Sequence, residues 1–190
     1  MKYFATGKSW PWLIFALPLI AVVAQLRNQG RIWWCSCSRP VLWDGDIWGS
    51  HTSQHLFDPY SFTHVLHGVV FCGLIWWALP RIRLIWRLWI AICIECFWEI
   101  FENTQFAIQR YREATIGLGY EGDAIANSMS DVACCTFGFF LAWRLGFRRS
   151  AILFVVVELV LLFWIRDNLT LNVLMLIHPM DAIKSWQMIH

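Results

Sequence analysis

Two histidines and three glutamates have the spacing that places side chains on shared helical faces. Glu95, Glu99 and Glu102 follow an i, i+4, i+7 pattern, so they occupy one face of a helix over about 10 Å. His64 and His67 are one helical turn apart and share a face in the same way. Imidazole and carboxylate groups together are ligands for Zn²⁺, or for Mn²⁺ or Fe²⁺ where carboxylates dominate. The spacing therefore favours a divalent-metal site with His64, His67, Glu95 and Glu99 as ligands.

A second group of polar residues completes this candidate site. Asp123, Asn127 and Asp131 repeat at i, i+4, i+8 if the helix that carries them starts early. With Glu102, the two aspartates are predicted catalytic carboxylates, acting as ligand or general base beside a metal-activated water. The predicted substrate contacts are four polar side chains: Arg110, Arg112, Asn127 and Arg166. The same arginines offer an alternative, because they could neutralise the acids in a buried network that only stabilises the fold.

The composition limits the class of protein. Apolar residues make up 58% of the 190 residues and charged residues 15%, whereas soluble domains carry about a quarter charged residues. The 14 tryptophans indicate a membrane protein, since indole rings favour the membrane–water interface. The net charge is only +2 and the sequence has no basic patch, so we do not expect nucleic-acid binding. We predict a single integral membrane domain over residues 1–190, with the lipid bilayer as its partner.

Five apolar stretches of about 15–18 residues approach the length needed to cross a bilayer. They predict an all-α polytopic bundle of about five transmembrane helices, at residues 10–26, 62–79, 84–101, 128–143 and 150–165. A sixth stretch at 169–177 is too short to span, and we expect an interfacial segment over residues 169–186. The first stretch also has signal-peptide features, with Lys2 and Lys8 ahead of it, but Pro18 favours an uncleaved anchor.

Charged residues alternate between the predicted loops and so set the orientation. The N-terminal segment, the second loop and the fourth loop contain lysines and arginines but no acid, and positive residues in short loops stay cytoplasmic. The alternate segments contain nearly every acid outside the helices. The N-terminus is therefore predicted inside and the C-terminus outside. With this topology, four helices bring their ionisable residues to the outer end of the bundle.

Cys35 and Cys37 form a Cys-x-Cys pair in the first outer loop, near His51 and His55. A disulfide, either strained within this pair or formed with another chain, is the favoured interpretation, because the periplasm is oxidising. A metal role would require all four side chains to converge. The sequence leaves these alternatives open.

Seven motifs carry a resemblance to a known family: Trp34–Cys37, Ser53–His55, His64–Gly68, Trp98–Thr104, Arg110–Thr115, Gly122–Asp131 and Ile165–Leu176. Through them the chain resembles uncharacterised protein family 0314, a group of bacterial multi-pass membrane proteins. Phe62-Thr63 and Gln105 depart from the expected pattern without removing an ionisable group. The resemblance implies a multi-pass protein of the bacterial inner membrane and transfers no activity or catalytic residue.

Three functional hypotheses follow from the residues. The leading one is a periplasm-facing site that binds zinc, manganese or iron and acts on a lipid-linked or envelope substrate. The second is a structural or assembly protein whose polar network only stabilises the bundle. The third is a proton- or cation-coupled carrier, which is disfavoured because the inner halves of the helices are mostly apolar. The sequence indicates neither the reaction nor the oligomeric state.

Overall fold

Eight α-helices form the regular structure of the described residues, together with one isolated β-bridge between Trp43 and Phe57. This computed structural model describes residues 10–37, 39, 41–49, 51–115, 117 and 119–188, so Lys2 and Lys8 lie outside the described residues. The predicted all-α class is confirmed. The helices are α1 Trp10–Asn28, α2 Ser61–Ala78, α3 Leu84–Glu102, α4 Gln105–Ala114, α5 Ile125–Leu145, α6 Phe147–Ile165, α7 Leu169–Ile177 and α8 Asp181–Gln187.

The five long helices α1, α2, α3, α5 and α6 correspond to the five predicted apolar stretches. Among the described helices, α2 and α5 are long and apolar enough to cross a membrane, and Leu13–Asn28 of α1 is a shorter apolar helix. Helices α3 and α6 have 19 residues each but contain several charged side chains, among them Glu95, Glu99 and Glu158. Glu95 and Glu99 of α3 are predicted site residues, and their charges also lower the hydropathy of this helix.

Helices α2 and α5 run side by side in the same direction and approach each other through glycine. A Cβ atom on Gly68 would overlap the backbone of Cys135 and Phe139, and one on Gly138 would overlap the backbone of Val65. Small residues allow this close approach of helix backbones. The crossing fixes the register of α2 against α5, and it lies about one turn from His64 and directly after His67.

The apolar core lies toward the end of the bundle away from these histidines. It contains side chains from four helices, including Val22 of α1, Ile75 of α2, Ile92 of α3 and Phe139 of α5. Helices α2 and α3 are antiparallel, because His64 lies beside Glu99 at one end and the Trp76 ring lies 4.0 Å from the Arg87 guanidinium at the other. The bundle therefore has one apolar end and one polar end.

The segment between α1 and α2 folds back over the first turn of α5. Backbone hydrogen bonds join Ile125 N–H to Ile32 C=O at 2.9 Å and Ala124 N–H to Ser53 C=O at 2.9 Å. Helix α5 begins at Ile125, three residues before the predicted start. This early start adds Asn127 to α5, at the same end of the bundle as Asp131, whereas Asp123 lies in the loop before the helix and does not continue the predicted i, i+4, i+8 repeat.

Candidate functional site

Two histidines of α2 share one carboxylate of α3 at the polar end of the bundle. The Nδ1 atom of His64 lies 2.6 Å from Oε1 of Glu95 and 3.4 Å from Oε1 of Glu99. The Nδ1 atom of His67 lies 3.0 Å from Oε2 of Glu95. Their helices pair antiparallel, so the turn that carries the histidines meets the last turns of α3. All four predicted metal ligands therefore converge.

The carboxylates of this cluster are buried without an arginine or lysine partner among the described residues. Glu95 and Glu99 are both 0% exposed. Neither carboxylate oxygen of Glu99 accepts a hydrogen bond within the described part of the chain. No arginine or lysine among the described residues lies within salt-bridge distance of an aspartate or glutamate. Because an unpaired buried charge costs several kcal/mol, this arrangement needs a cation or bound protons.

Asp131 and Glu102 extend the cluster on either side of His64. Nε2 of His64 lies 3.9 Å from Oδ2 of Asp131, while Oδ1 of Asp131 is buried without a hydrogen-bond partner among the described residues. One ligand atom each from His64, Glu99 and Glu102 lies within 4.8 Å of the other two, and the same holds for His64, His67 and Glu95. Such spacing is compatible with one metal ion or two neighbouring ions.

Asp123 lies nearby, but donors from the protein occupy its carboxylate. Asn103 Nδ2 donates to Oδ2 at 2.7 Å and the Tyr120 hydroxyl donates to Oδ1 at 2.8 Å. The Asn103 Oδ1 atom in turn accepts from the Asp123 backbone N–H at 2.7 Å. Burial raises the pKa of Asp123, and these donors oppose the rise. Gly122 permits the turn, with φ of +90°.

Asp58 and Asp167 are two further buried acids that hold the ends of helices in place. Asp58 accepts from the backbone N–H of Tyr60 at 2.7 Å and of Ser61 at 3.2 Å, at the start of α2. Asp167 accepts from the Tyr60 hydroxyl at 3.2 Å, which ties the end of α6 to α2. Burial raises the pKa of Asp58, and the charge of Asp123 adds to this rise. Burial also raises the pKa of Asp167, to about 6.

The four predicted substrate contacts are engaged with the protein's own carbonyl groups. The Arg110 Nε atom donates to the C=O of Leu176 at 2.9 Å. The other three pairs are Arg112 with Tyr120 C=O, Asn127 with Leu56 C=O and Arg166 with Trp186 C=O. These bonds join α4, α5 and α6 to loops and to the C-terminal helices. The same side chains are therefore not the counter-ions of the buried acids.

A small cavity of about 60 Å³ opens onto the cluster. This volume has room for an ion and a few water molecules. Its polar walls come from α2, α3, α4, α5, α7 and the loop before α5. The lining includes His64, His67, Trp98, Glu102, Tyr111, Tyr120, Asp123, Asp131 and Asn172.

Sequence reasoning missed Asp58 and Asn103 as parts of this site. Asn103 is 1% exposed and connects the Glu99 backbone C=O, at 3.0 Å, to Asp123. It lies inside the motif Trp98–Thr104, which was the available signal. Asp58 is 3% exposed, and it lies six residues ahead of His64 in a loop whose fold the sequence does not reveal.

The fold and the site define an all-helical protein with a buried His/Glu/Asp cluster that is able to hold a metal ion. Residues 26–189 match a family described as "Protein of unknown function (DUF2585)". A UPF0314 protein of Sinorhizobium fredii is 45% identical over 94% of this chain and 91% of its own length. UPF0314 proteins of Sphingopyxis alaskensis and Paracoccus denitrificans are 44% and 41% identical, over 93% and 96% of this chain and 94% of each relative. No match was found among solved structures.

The chain belongs to the UPF0314 family, a bacterial family of uncharacterised proteins. The resemblance predicted from the seven motifs is thereby confirmed.

Proposed function

We propose that this chain is a multi-pass protein of the bacterial inner membrane whose polar end binds a divalent metal and acts on a lipid-linked or envelope substrate. The observation that carries the proposal is the cluster of His64, His67, Glu95 and Glu99, buried without an arginine or lysine. A divalent cation would neutralise these carboxylates and satisfy the unpartnered oxygens of Glu99.

The outer faces of the helices support a bilayer environment. Trp77, Phe97, Phe147 and Phe163 are between 70% and 84% exposed. Exposed apolar surface of this extent is unfavourable in water and favourable against lipid. Lipid contact on α3 and α6 would compensate for their buried charges, which face the bundle. With the positive loops in the cytoplasm, the polar end opens toward the periplasm.

The ligand set suits zinc, manganese or iron. Two imidazoles with two carboxylates match the preferences of these ions, whereas magnesium and calcium favour oxygen ligands alone. When bound, the ion would supply a positive charge that polarises water or a phosphoryl or carbonyl oxygen. Asp131 and Glu102 are the carboxylates best placed to take a proton, because each keeps an unpartnered oxygen at the cavity. Asp123 is better suited to holding the loop, since donors occupy both of its oxygens.

The surroundings of the cavity favour a substrate with a lipid part. Helices α4 and α7 contribute Tyr111 and Asn172 to the cavity wall, where the Tyr111 hydroxyl donates to Asn172 Oδ1 at 3.2 Å. The same two helices carry exposed apolar residues, with Phe106 70% and Ile177 76% exposed. Short helices of this kind lie in the membrane interface. A lipid headgroup would therefore reach the cavity without leaving the bilayer surface.

Metal analysis of the purified protein tests the proposal. We expect the wild type to hold one equivalent of zinc, manganese or iron at this cluster, and His64→Ala and Glu99→Gln each to hold one equivalent of metal less than the wild type. Glu113→Gln is the matched control, because Glu113 is exposed and lies outside the cluster. A wild-type protein without metal after growth in metal-rich medium would contradict the proposal. Equal metal content in the wild type and in folded His64→Ala and Glu99→Gln would also contradict the proposal.

A further inference from the structure

The structure assigns a second metal site, independent of the first, to Cys35, Cys37, His51 and His55. One ligand atom from each of these side chains lies within 4.8 Å of the other three. The four residues come from the two ends of the loop between α1 and α2. The ligand chemistry is that of Zn²⁺, which takes four ligands of the Cys₂His₂ type in tetrahedral sites.

Two of the distances between these ligand atoms are close to those of a tetrahedral zinc site. The Cys35 Sγ atom lies 3.1 Å from His51 Nδ1, and the Cys37 Sγ atom lies 3.8 Å from His55 Nε2. Zinc–sulfur bonds of about 2.3 Å and zinc–nitrogen bonds of about 2.0 Å separate neighbouring tetrahedral ligands by roughly 3.3–3.8 Å. Small side-chain adjustments would bring all four ligands into contact with an ion at the centre.

Cys35 and His55 are buried in a way that a metal explains. Cys35 is 5% and His55 is 4% exposed. The Nδ1 atom of His55 has no hydrogen-bond partner among the described residues, and its Nε2 faces only the sulfur of Cys37. An imidazole with such poor hydrogen bonding is costly to bury. A zinc ion bonded to Nε2 would replace the weak contact with the Cys37 sulfur by a strong metal bond.

The two cysteines are free thiols in the structure. The Cys37 backbone N–H donates to the Cys35 sulfur at 3.3 Å. The disulfide that the sequence favoured is therefore not needed to account for the pair. Zinc ligation would also protect the thiols, because a metal-bound thiolate is less available for oxidation in an oxidising compartment.

This zinc would fasten the loop that covers the cavity. Ser53 lies between the two histidine ligands and lines the cavity. Its N–H donates to Asp58 Oδ2 at 3.1 Å, and its C=O accepts from Ala124 N–H at 2.9 Å. Joining the Cys35 end of the loop to the His55 end holds this segment against the start of α5. The site would have a structural role, since its four protein ligands leave no open position.

Zinc content of purified single variants tests the assignment. After growth with zinc, we expect Cys37→Ser to lose one equivalent of zinc relative to wild type. Cys93→Ser is the matched control, because Cys93 lies in the middle of α3, away from this cluster, and we expect it to retain the full amount. Retention of all zinc by Cys37→Ser would overturn the assignment, and so would a Cys35–Cys37 disulfide in zinc-grown wild type.

X-ray absorption at the zinc edge keeps the test valid if Cys37→Ser fails to fold. It is measured on the His64→Ala variant, in which only the second site remains to bind zinc. We expect two sulfur neighbours at about 2.3 Å and two nitrogen neighbours at about 2.0 Å. A spectrum without sulfur neighbours, or a protein without zinc, would overturn the assignment. The first site can fail its own test while this one passes, because the two sites share no ligand.

Discussion

At the level of single residues, the buried acids divide into two groups by their hydrogen-bond partners. Asp58, Asp123 and Asp167 accept bonds from backbone, amide or hydroxyl donors and so fix loops to helices. Glu95 is paired with the imidazoles of His64 and His67, and Glu99 accepts no hydrogen bond at either carboxylate oxygen within the described residues. The donors around the first group stabilise its carboxylates, whereas the second group needs a cation or bound protons.

Replacing Glu99 by glutamine separates a metal ligand from a stabilising residue. In the presence of a chelator, we expect Glu99→Gln to be more stable than the wild type by about 1 kcal/mol or more, because the substitution removes one buried charge from a group of acids. Added zinc or manganese should raise the melting temperature of the wild type but not of the variant. Thermal unfolding in detergent measures both effects.

Glu113→Gln is again the control, and it should respond to metal as the wild type does. Glu99→Gln would instead destabilise the chelator-treated protein by several kcal/mol if Glu99 belonged to a network that only holds the bundle together. That result would favour the structural hypothesis over the metal site.

Asp167 should make stability depend on pH. Burial raises its pKa from 3.8 to about 6, so the folded protein holds this proton more tightly than the unfolded chain does. Stability contributed by the protonated form is therefore lost as pH rises from about 4 through 6, by up to roughly 3 kcal/mol. We expect Asp167→Asn to lack this part of the dependence.

Unfolding in detergent between about pH 4 and 7 measures this effect as the difference between variant and wild type. Asp181→Asn is the control, since Asp181 is exposed at the start of α8, and its profile should match the wild type. Identical slopes for Asp167→Asn and wild type would contradict the expected effect.

The sequence was sufficient to predict which helix faces meet, and not which atoms pair. The i, i+4, i+7 spacing of the glutamates and the topology correctly predicted that His64 and Glu99 would converge. The partners of Asp123 could not be predicted, because Asn103 and Tyr120 reach it only through the folding of α4 and the following loop. The arginines likewise bond to backbone carbonyls that only the folded C-terminal segment provides.

At the level of helices, the α2–α5 crossing determines the geometry of the site. Its closest approach at Gly68 and Gly138 lies about one turn beyond His64 and about two turns beyond Asp131. Any outward shift of α5 would move Asp131 away from His64, since their side chains are already 3.9 Å apart. The glycine contact between α2 and α5 therefore also sets the distance between Asp131 and His64.

Gly68→Ala should destabilise the protein by about 1–3 kcal/mol, because the added methyl group overlaps the α5 backbone. Gly73→Ala is the matched control on the same helix, since a Cβ there meets no atom within 4 Å. We expect the control to be neutral or slightly stabilising, as alanine favours helix over glycine. Thermal unfolding in detergent measures both, and equal stability of the two variants would contradict the assigned crossing.

Helix positions were largely predictable, because apolar length and flanking charges define them. The predicted stretch 84–101 is observed as Leu84–Glu102, and the predicted segment 169–177 as Leu169–Ile177. Helix α4 was not predicted, because its polar sequence is typical of a loop. Its start depends on Thr104, whose hydroxyl accepts from the Ala107 N–H at 3.2 Å.

At the level of the whole chain, the five long helices alternate in direction and sort the charges between the two ends. The apolar end of the bundle carries Arg83, directly before α3, and Arg148, in the first turn of α6, whereas the acids of the site lie at the other end. In the proposed bilayer orientation, this distribution would place the arginines on the cytoplasmic side. Opposite orientation would leave the arginine-rich loops outside.

Alkaline phosphatase fusions test the proposed orientation, because that enzyme is active only where its disulfides form. A fusion in the loop at Glu121 should be active, and fusions at Arg83 and Arg148 should be inactive. Activity at Arg83 with none at Glu121 would reverse the topology and remove the envelope substrate from the proposal.

An anomalous difference map from crystals of the purified protein, recorded at the absorption edge of the bound metal, addresses the proposed centre most directly. We expect a peak within bonding distance, about 2.0–2.2 Å, of the His64 and His67 rings and the Glu95 and Glu99 carboxylates. A map of metal-soaked crystals with no peak between α2 and α3 would contradict the metal centre.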